Sequence, residues 1–391
     1  MLLIIFHVYV GGVIVNRSGQ YVENITGETL YKSFKPSPLP PNPPLEMDEY
    51  LLILLVDANR KLAQLDAASQ LIPNIDLFSS MYVRKEALMS SQIEGSQCTL
   101  EDILDPQLDV KANADVGEVI NYIKAADFAL ERLKTQHICN RLLCETHAVL
   151  MEGVRGQEKN PGEFRHSQNW IGPAGSSLKT ARYIPPNAED MENAMSELEK
   201  YINESDKYDP LIQAALIHYQ FETIHPFSDG NGRIGRLLIL LYLMEKKLIS
   251  EPVIYLSYFL KVNKIEYYDR IREVRRNGNY EQWIAFFLEA VSSAAKDALE
   301  SIGKLSALRE KNIAGLPKSS KRKDNLRALF DYLEQHPIIE IKQTAAALGV
   351  SYNTVSSAVK KLTELGILKE RTNAARNRVF AYEDYLDILK Y

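Results

Sequence analysis

The stretch HPFSDGNGRIGR, His225 to Arg236, gathers a histidine, an aspartate, an asparagine, two arginines and three glycines within twelve residues. Gly230, Gly232 and Gly235 spell GxGxxG, but a dinucleotide cradle needs a strand before the glycines, a βαβ unit and an acidic residue about 20 positions on. Here the preceding residues pattern as a helix, the core has no parallel-sheet pattern, and no Lys-Ser/Thr pair follows to make a Walker A loop. The loop makes sense instead as an anion site at a helix start. The run NGRIGRLLILLYLMEKK sets Ile234, Leu237, Leu238, Leu241 and Met244 at helical spacing, which predicts a helix with one buried face beginning at Gly230 to Gly232. Its unpaired N–H groups and dipole favour an anion, and glycine lets a phosphate approach the backbone. Arg233 and Arg236, three apart, can face the same anion, and two guanidinium forks suit a polyphosphate.

Asp229 adds a hard oxygen beside that anion, the usual way Mg²⁺ is held together with substrate phosphates. His225, at the rim, has an ordinary pKa of about 6.5, suited to a general base near neutrality. The residue types therefore point to a phosphate-containing substrate with Mg²⁺, attacked by a hydroxyl that His225 deprotonates. Alone, a histidine before proline is more often a satisfied loop residue, and an arginine pair more often solvated surface. It is the order of the residues that carries the signal.

That order resembles, without gaps, the signature HxFx(D/E)GNGRxxR of the Fic (filamentation induced by cAMP) family. The resemblance extends more weakly over about residues 35 to 310. It implies an all-α Fic-type helical core with a small β-hairpin flap, and transfer of AMP from ATP to a protein hydroxyl, of a target or of the protein itself. On this resemblance His225 is the base and Asp229 the metal ligand. Asn231 and the amides of Gly230 and Gly232 line the phosphates, with Gly235 in the same motif. Arg233 holds the phosphate chain, Arg236 meets the γ-phosphate, and Phe227 is a core anchor. The segment TARYIPP resembles the family's flap, which implicates Thr180, Ala181, Arg182 and Tyr183 through main-chain contacts with a target strand. KIEYYDRIREVRRNG resembles the segment that closes over adenine, with Tyr267 and Tyr268 as candidates. The intact GNGR favours nucleotidyl transfer over the phosphotransferring branch, which carries a lysine there.

SSQIEG, Ser90 to Gly95, resembles the family's inhibitory pattern (S/T)xxxE(G/N). MYVRKEALMSSQIEG patterns as a helix ending at Gly95, and Ser90 and Glu94, four apart, share a face. The resemblance implies that Glu94 pairs with Arg236 in the γ-phosphate's place. Two other readings stay open: a DNA-binding regulator whose core senses nucleotide, and an enzyme of the same fold that removes AMP.

The elements that must position these residues follow from pattern and punctuation. Residues 1–46 read as an arm and a proline-rich strap: a β-rich arm or start-site extension at the apolar N-terminus, then KPSPLPPNPPLE, in which six prolines enforce an extended path. Residues 47–312 read as one helical domain, with an inhibitory helix at about 81–95 and a hairpin flap at about 172–186, where GPAGSSLKTARYIPP is glycine-rich and then stopped by prolines. Residues 313–324 read as a linker. Residues 325–391 resemble a winged helix-turn-helix, with a third helix entered through Ser351 and ended at Gly366 and two strand-like runs, ILKERT and RVFAYEDY. That third helix is expected to turn Val355, Val359, Leu362 and Leu365 inward and to present Tyr352, Asn353, Thr354, Ser356 and Lys360. With Arg371, Arg376 and Arg378 near the wing and Lys318, Lys321, Arg322 and Lys323 before it, this makes a local basic footprint for DNA, although docking to protein is an alternative.

The 391 residues allow two or three domains, and a net charge of −5 predicts no bulk attraction to nucleic acid or anionic membrane. Cys98, Cys139 and Cys144 form no CxxC pair, which fits a reducing, cytoplasmic setting. No stretch approaches ~18 apolar residues, so no membrane span is expected. A homodimer is expected by analogy with the family.

Overall fold

A computed structural model of the chain describes residues 8–10, 13–26, 29–72, 75–105, 113–173, 175–204, 206–317, 321–372 and 378–390. The N-terminal arm begins with two short antiparallel strands, β1 (Val8–Val10) and β2 (Val13–Val15). A longer hairpin follows, β3 (Gly19–Thr26) against β4 (Thr29–Pro36), with Gly19 opposite Pro36 and Thr26 opposite Thr29. Phe34 turns into the core, where its ring meets Tyr21 and Tyr183. The proline-rich residues 37–48 run on without helix or strand, as their fixed backbone requires.

The core is helical: α1 (Glu49–Ser69), α2 (Ile75–Ile93), α3 (Leu100–Leu104), α4 (Ala114–Leu133), α5 (Asn140–Leu150), α6 (Ala188–Glu204), α7 (Pro210–Ile224), α8 (Asn231–Glu245), α9 (Ser257–Val262), α10 (Lys264–Asn277) and α11 (Tyr280–Gly315). Several starts follow local chemistry. Asp48 accepts from the Leu51 N–H, Asn113 from Asp115 and Val116, and Asp209 from Leu211, with Pro210 in the first turn. Thr99 and Asp102 form a reciprocal capping box on α3. Helix α1 lies along α11, and α7 and α8 pack on each other at the centre. Helix α8 was expected to bury one face. It is buried on all sides from Asn231 to Leu243, Gly232 apart, because α2, α4, α5 and α7 surround it. No helix among the described residues is long and apolar enough to cross a membrane.

The C-terminal part comprises α12 (Lys321–Gln335), β5 (Ile338–Glu340), α13 (Ile341–Ala347), α14 (Tyr352–Glu364), β6 (Lys369–Glu370), β7 (Val379–Ala381) and α15 (Glu383–Lys390). Its strands form an antiparallel sheet in the order β5-β7-β6. Ser351 caps α14 by accepting from the Thr354 N–H, and Gly366 follows the helix in the left-handed region.

Four more expectations are corrected here. Among its described residues the flap at 172–186 is not a two-stranded hairpin: Ile171 and Tyr183 form a single bridge, and Ser176 and Thr180 bond locally to Pro173 and Ser177. Ser176 bonds back to Pro173, and the Ser177 N–H to Thr180 Oγ1, so no ladder can run between two arms. The hairpin is β3–β4, and β4 reaches the flap through the Phe34 N–H, which donates to Ile184 O at 2.9 Å. The break expected from Asn312 comes later. Helix α11 continues to Gly315 because Asn312 donates to the Tyr382 hydroxyl (2.6 Å) and Ile313 packs on the core, and α12 already begins at Lys321. RVFAYEDY is strand only over 379–381, and a helix starts at Glu383, where Tyr385, Leu386 and Leu389 bury one face. Leu365, expected inward with the buried Val355, Val359 and Leu362, is 38% exposed at the helix end. The wing residue Arg376 and the linker residue Lys318 lie outside the described residues.

Candidate active site

Helices α7 and α8 meet in a tight turn that holds the motif. His225 ends α7 in the left-handed region (φ 53°, ψ 60°), its N–H still bonded to Phe221 O. Gly230 begins α8, also left-handed at φ 73°. A Cβ there would press on Met151 Sδ at 3.1 Å. Asn231 braces the turn: its Oδ1 accepts from the Phe227 N–H and its Nδ2 donates to the Phe227 carbonyl, both at 2.8 Å. Its side chain thus shapes the loop and does not project into the cradle. Phe227 is fully buried and stacks on His147 at 3.9 Å.

The N-terminus of α8 meets a carboxylate from another helix. Glu94, just past α2, places Oε1 2.6 Å from Arg236 Nη2. A Cβ on Gly232 would overlap that same oxygen, so the carboxylate lies against the first turn of α8. Arg236 is further held by Ser90, whose Oγ accepts from Nε at 2.8 Å and whose carbonyl accepts from Nη2 at 3.0 Å. The Arg236 side chain is 1% exposed, whereas Glu94 remains 37% open to solvent. Burial alone would raise the Glu94 carboxyl, but Arg236, with Arg233 and His225 behind it, holds it below its ordinary value.

Arg233 is buried beside Glu118 (3.8 Å) and Asp229 (3.7 Å), with Nε and Nη1 lacking hydrogen-bond partners. Asp229 accepts from the Gly230 N–H at 2.7 Å and from Lys159 Nζ at 3.0 Å. His225 is half-buried. Its Nδ1 is buried with no hydrogen-bond partner. Burial, then the Arg165 charge, push its pKa down to about 4, while Glu94 pulls the other way. The imidazole is neutral at pH 7.

Other expected residues fall elsewhere. Gly235 does not open to the cradle, because a Cβ there would collide with Glu222 Oε1 and crowd Phe221 on α7. Its role is close helix packing. Tyr183 is buried, donating to Thr223 O at 2.6 Å under Arg275. Thr180 and Arg182 are exposed, Ala181 is half-buried, and the Arg182 N–H is bonded to Ile171 O. Tyr267 is fully buried, hydrogen-bonded to His218 at 2.7 Å and packed on Trp283, which removes it from any base-stacking surface. Tyr268 is 42% exposed in the field of Glu94 and Arg236, and it is the tyrosine of the pair that stays available. Arg371 and Arg378 are engaged by Glu383 and Glu370, so the wing is less basic than its sequence.

Four residues have no signal in the pattern. Arg165 holds the motif from behind, donating to the carbonyls of His225 (2.9 Å), Ser167 (3.1 Å) and Pro186 (2.6 Å). Asn169 donates to Phe227 O at 3.0 Å. His147 accepts from the Gly162 N–H at 2.9 Å and faces Asp229 O at 3.1 Å. Glu222, one turn before His225, is raised by burial to about 7.

This helical frame is found in solved structures. One is a Fic family protein from Desulfovibrio desulfuricans, with TM-score 0.54 and 19% identity over 87% of this chain and 97% of that one. A Fic domain containing signaling protein from Bacteroides thetaiotaomicron gives TM-score 0.51 and 20% identity over 63% and 95%. Residues 137–243 match the Fic/DOC family, residues 52–131 the Fic/DOC family N-terminal region, and residues 322–369 the winged helix-turn-helix DNA-binding family. The chain thus carries a Fic/DOC domain, the N-terminal region that accompanies it in that family, and a C-terminal winged helix. A relative named protein adenylyltransferase Fic, from Culex quinquefasciatus, is 30% identical over 206 residues, half of this chain. The chain spans only 38% of that relative's length.

Proposed function

We propose that the protein is a self-inhibited adenylyltransferase, moving AMP from ATP to a hydroxyl side chain of a protein, itself included. The observation that carries this reading is the Glu94–Arg236 pair at the N-terminus of α8, beside a neutral, half-buried His225. A carboxylate lodged among helix N–H groups and a buried guanidinium marks where a phosphate tail is stabilised. The same carboxylate keeps that tail out.

With Glu94 displaced, Arg236 receives the γ-phosphate and the amides of Gly230 and Gly232 line the chain. Arg233, with two donors unsatisfied, holds it from the other side. With its proton on Nδ1, the neutral His225 leaves the Nε2 lone pair to accept one from the incoming hydroxyl. The oxygen bonds to the α-phosphorus, the bond to the bridging oxygen breaks, and pyrophosphate leaves. Asp229, the hard oxygen of the site, fits Mg²⁺ shared with phosphates, since its partly exposed carboxylate already holds the ammonium of Lys159. Bound there, Mg²⁺ would neutralise charge on the phosphates and the leaving group. The segment Thr180 to Arg182 is where a target strand would be added, outside the bonds that the Thr180 N–H makes to Ser177 O and the Arg182 N–H to Ile171 O, and Tyr268 offers a ring beside the nucleotide. The exposed Tyr352, Asn353 and Lys360 of α14 suit duplex DNA. We further place the protein in the cytoplasm, as its free cysteines suit, and expect a homodimer.

The test is incubation of wild type, Glu94→Gly and His225→Ala with α-labelled ATP and Mg²⁺. Glu94→Gly is expected to label itself roughly tenfold or more above wild type. His225→Ala is expected to bind ATP without transferring AMP. Equal labelling by well-folded wild type and Glu94→Gly would remove the brake from this reading.

A further inference from the structure

Glu94 lies in the short span between α2 and α3, and the winged helix covers the elements on both sides of it. On the α2 side, α12 packs against that helix. Arg84 and Tyr82 of α2 lie in the electrostatic field of Tyr385 from α15, and Arg84 in that of His336. On the α3 side, Leu104 packs against the apolar cluster of Ile338, Val379, Ala381 and Leu386. The charges of Glu101 and Asp105, in and just after α3, act on Arg371 at the base of the wing. The winged helix is fixed to the far end of α11, where Arg309 meets Asp331 at 3.0 Å and Asn312 meets Tyr382. The winged helix thus abuts both the α2 side and the α3 side of the segment that holds Glu94 against α8.

Helix α3 is only five residues long and depends on its neighbours for its position. Arg371 is the exposed link. Its fork is bidentate to Glu383, at 2.8 and 3.1 Å, and it feels the charges of Glu101 and Asp105. A phosphate backbone seeks the same fork. Helix α14 faces solvent with Tyr352, Asn353 and Lys360, and Lys369 is exposed on β6.

We propose that the winged helix is the handle of the Glu94 brake, and that duplex DNA on α14 and the wing draws Arg371 away from the acidic side of α3 and loosens the segment carrying Glu94. This rests on the reading of Glu94 as a brake. Coupling between two binding events is reciprocal: if DNA weakens the Glu94–Arg236 contact, loss of that contact tightens DNA binding by the same factor.

The experiment uses the full chain as wild type, Glu94→Gly, Arg371→Ala and Leu104→Asp, each checked for a native thermal transition. The probe is a short duplex of mixed sequence at low salt, where phosphate contacts are strongest. Duplex is expected to raise wild-type self-labelling by about 5-fold or more and to leave Glu94→Gly unchanged. Glu94→Gly is expected to bind the duplex more tightly than wild type by a matching factor. Arg371→Ala, a surface change, and Leu104→Asp are each expected to label above wild type without DNA. Binding of duplex with unchanged labelling overturns the coupling, as does wild-type labelling by both folded interface variants. Absence of binding at low salt overturns DNA as the occupant. Failure of Glu94→Gly to exceed wild type overturns the brake itself, a result separable from the other outcomes.

Discussion

Glu94 and Arg236 are 142 residues apart in the chain and 2.6 Å apart in the fold. The pair joins the end of one helix to the first turns of another, with Ser90 completing the ring of acceptors around the guanidinium. Two acceptors come from Ser90 and one from Glu94, so the arginine is held as much by the helix as by the carboxylate.

Removing only the serine hydroxyl should therefore loosen the brake without abolishing it. Ser90→Ala takes away a hydrogen bond to a charged donor, worth roughly 1.5–3 kcal/mol when buried, and leaves Glu94 in place. Self-labelling by Ser90→Ala should lie between wild type and Glu94→Gly. The double variant should match Glu94→Gly alone. Labelling above Glu94→Gly in the double variant would mean that Ser90 acts elsewhere.

The second prediction concerns pH. Burial lowers the His225 imidazole from its ordinary 6.5 to about 4, and Glu94 opposes that shift. A base must be unprotonated, so activity is retained above the folded pKa and lost as pH falls through it. In Glu94→Gly the opposing charge is gone, so the acid limb should lie at or below about 4. Its kcat/KM should stay flat between about pH 5.5 and 8. A limb centred on the ordinary histidine value would show that His225 is more hydrated than this geometry allows.

Much of this arrangement is legible in the sequence, and the rest fails for identifiable reasons. Helices α1, α4, α5, α6 and α7 announce themselves by apolar residues at three- and four-residue steps, and Ser90 and Glu94 share a face by spacing alone. The hairpin β3–β4 does not, because Tyr21, Ile25 and Leu30 stay exposed although they share a face with the buried Phe34, which erases the burial contrast that marks a half-buried strand. Tyr267 and Tyr268 are chemically identical in the sequence, and only packing on His218 and Trp283 separates the buried ring from the available one. Arg165 and His147 act on backbone groups 60 and 82 positions away, a relation that carries no side-chain pattern.

His147 is the third prediction. Its Nδ1 accepts from the Gly162 N–H, so Nε2 bears the proton and donates to the carbonyl of Asp229. Burial, only partly opposed by that bond, drives its pKa down to about 4, which keeps this single tautomer at neutral pH. The ring lies flat on Phe227, so it fixes both ends of the turn from His225 to Gly230. His147→Leu leaves a donor and an acceptor unpaired, costing about 1–3 kcal/mol each, and should lower thermal stability. In the Glu94→Gly background it should also raise KM for ATP by roughly tenfold. His147→Gln, whose amide can donate and accept, should restore most of the KM. If leucine and glutamine variants share one KM, the ring contributes packing alone.

Lys159 bears on the metal. Its ammonium sits 3.0 Å from Asp229 Oδ2, on the carboxylate assigned to Mg²⁺, and both side chains are partly exposed, 45% and 35%. An exposed pair of this kind is worth at most about 1 kcal/mol, so the lysine competes with a divalent cation without excluding it. Lys159→Ala in the Glu94→Gly background should lower the Mg²⁺ concentration for half-maximal nucleotide binding by a factor of up to about 5. The effect should fade as ionic strength rises, because salt screens exposed pairs first. Isothermal titration of ATP at graded Mg²⁺ reads this directly, without reference to turnover. An unchanged Mg²⁺ dependence at low salt would mean that the Lys159–Asp229 contact opens freely and that Asp229 meets its cation with no resident competitor.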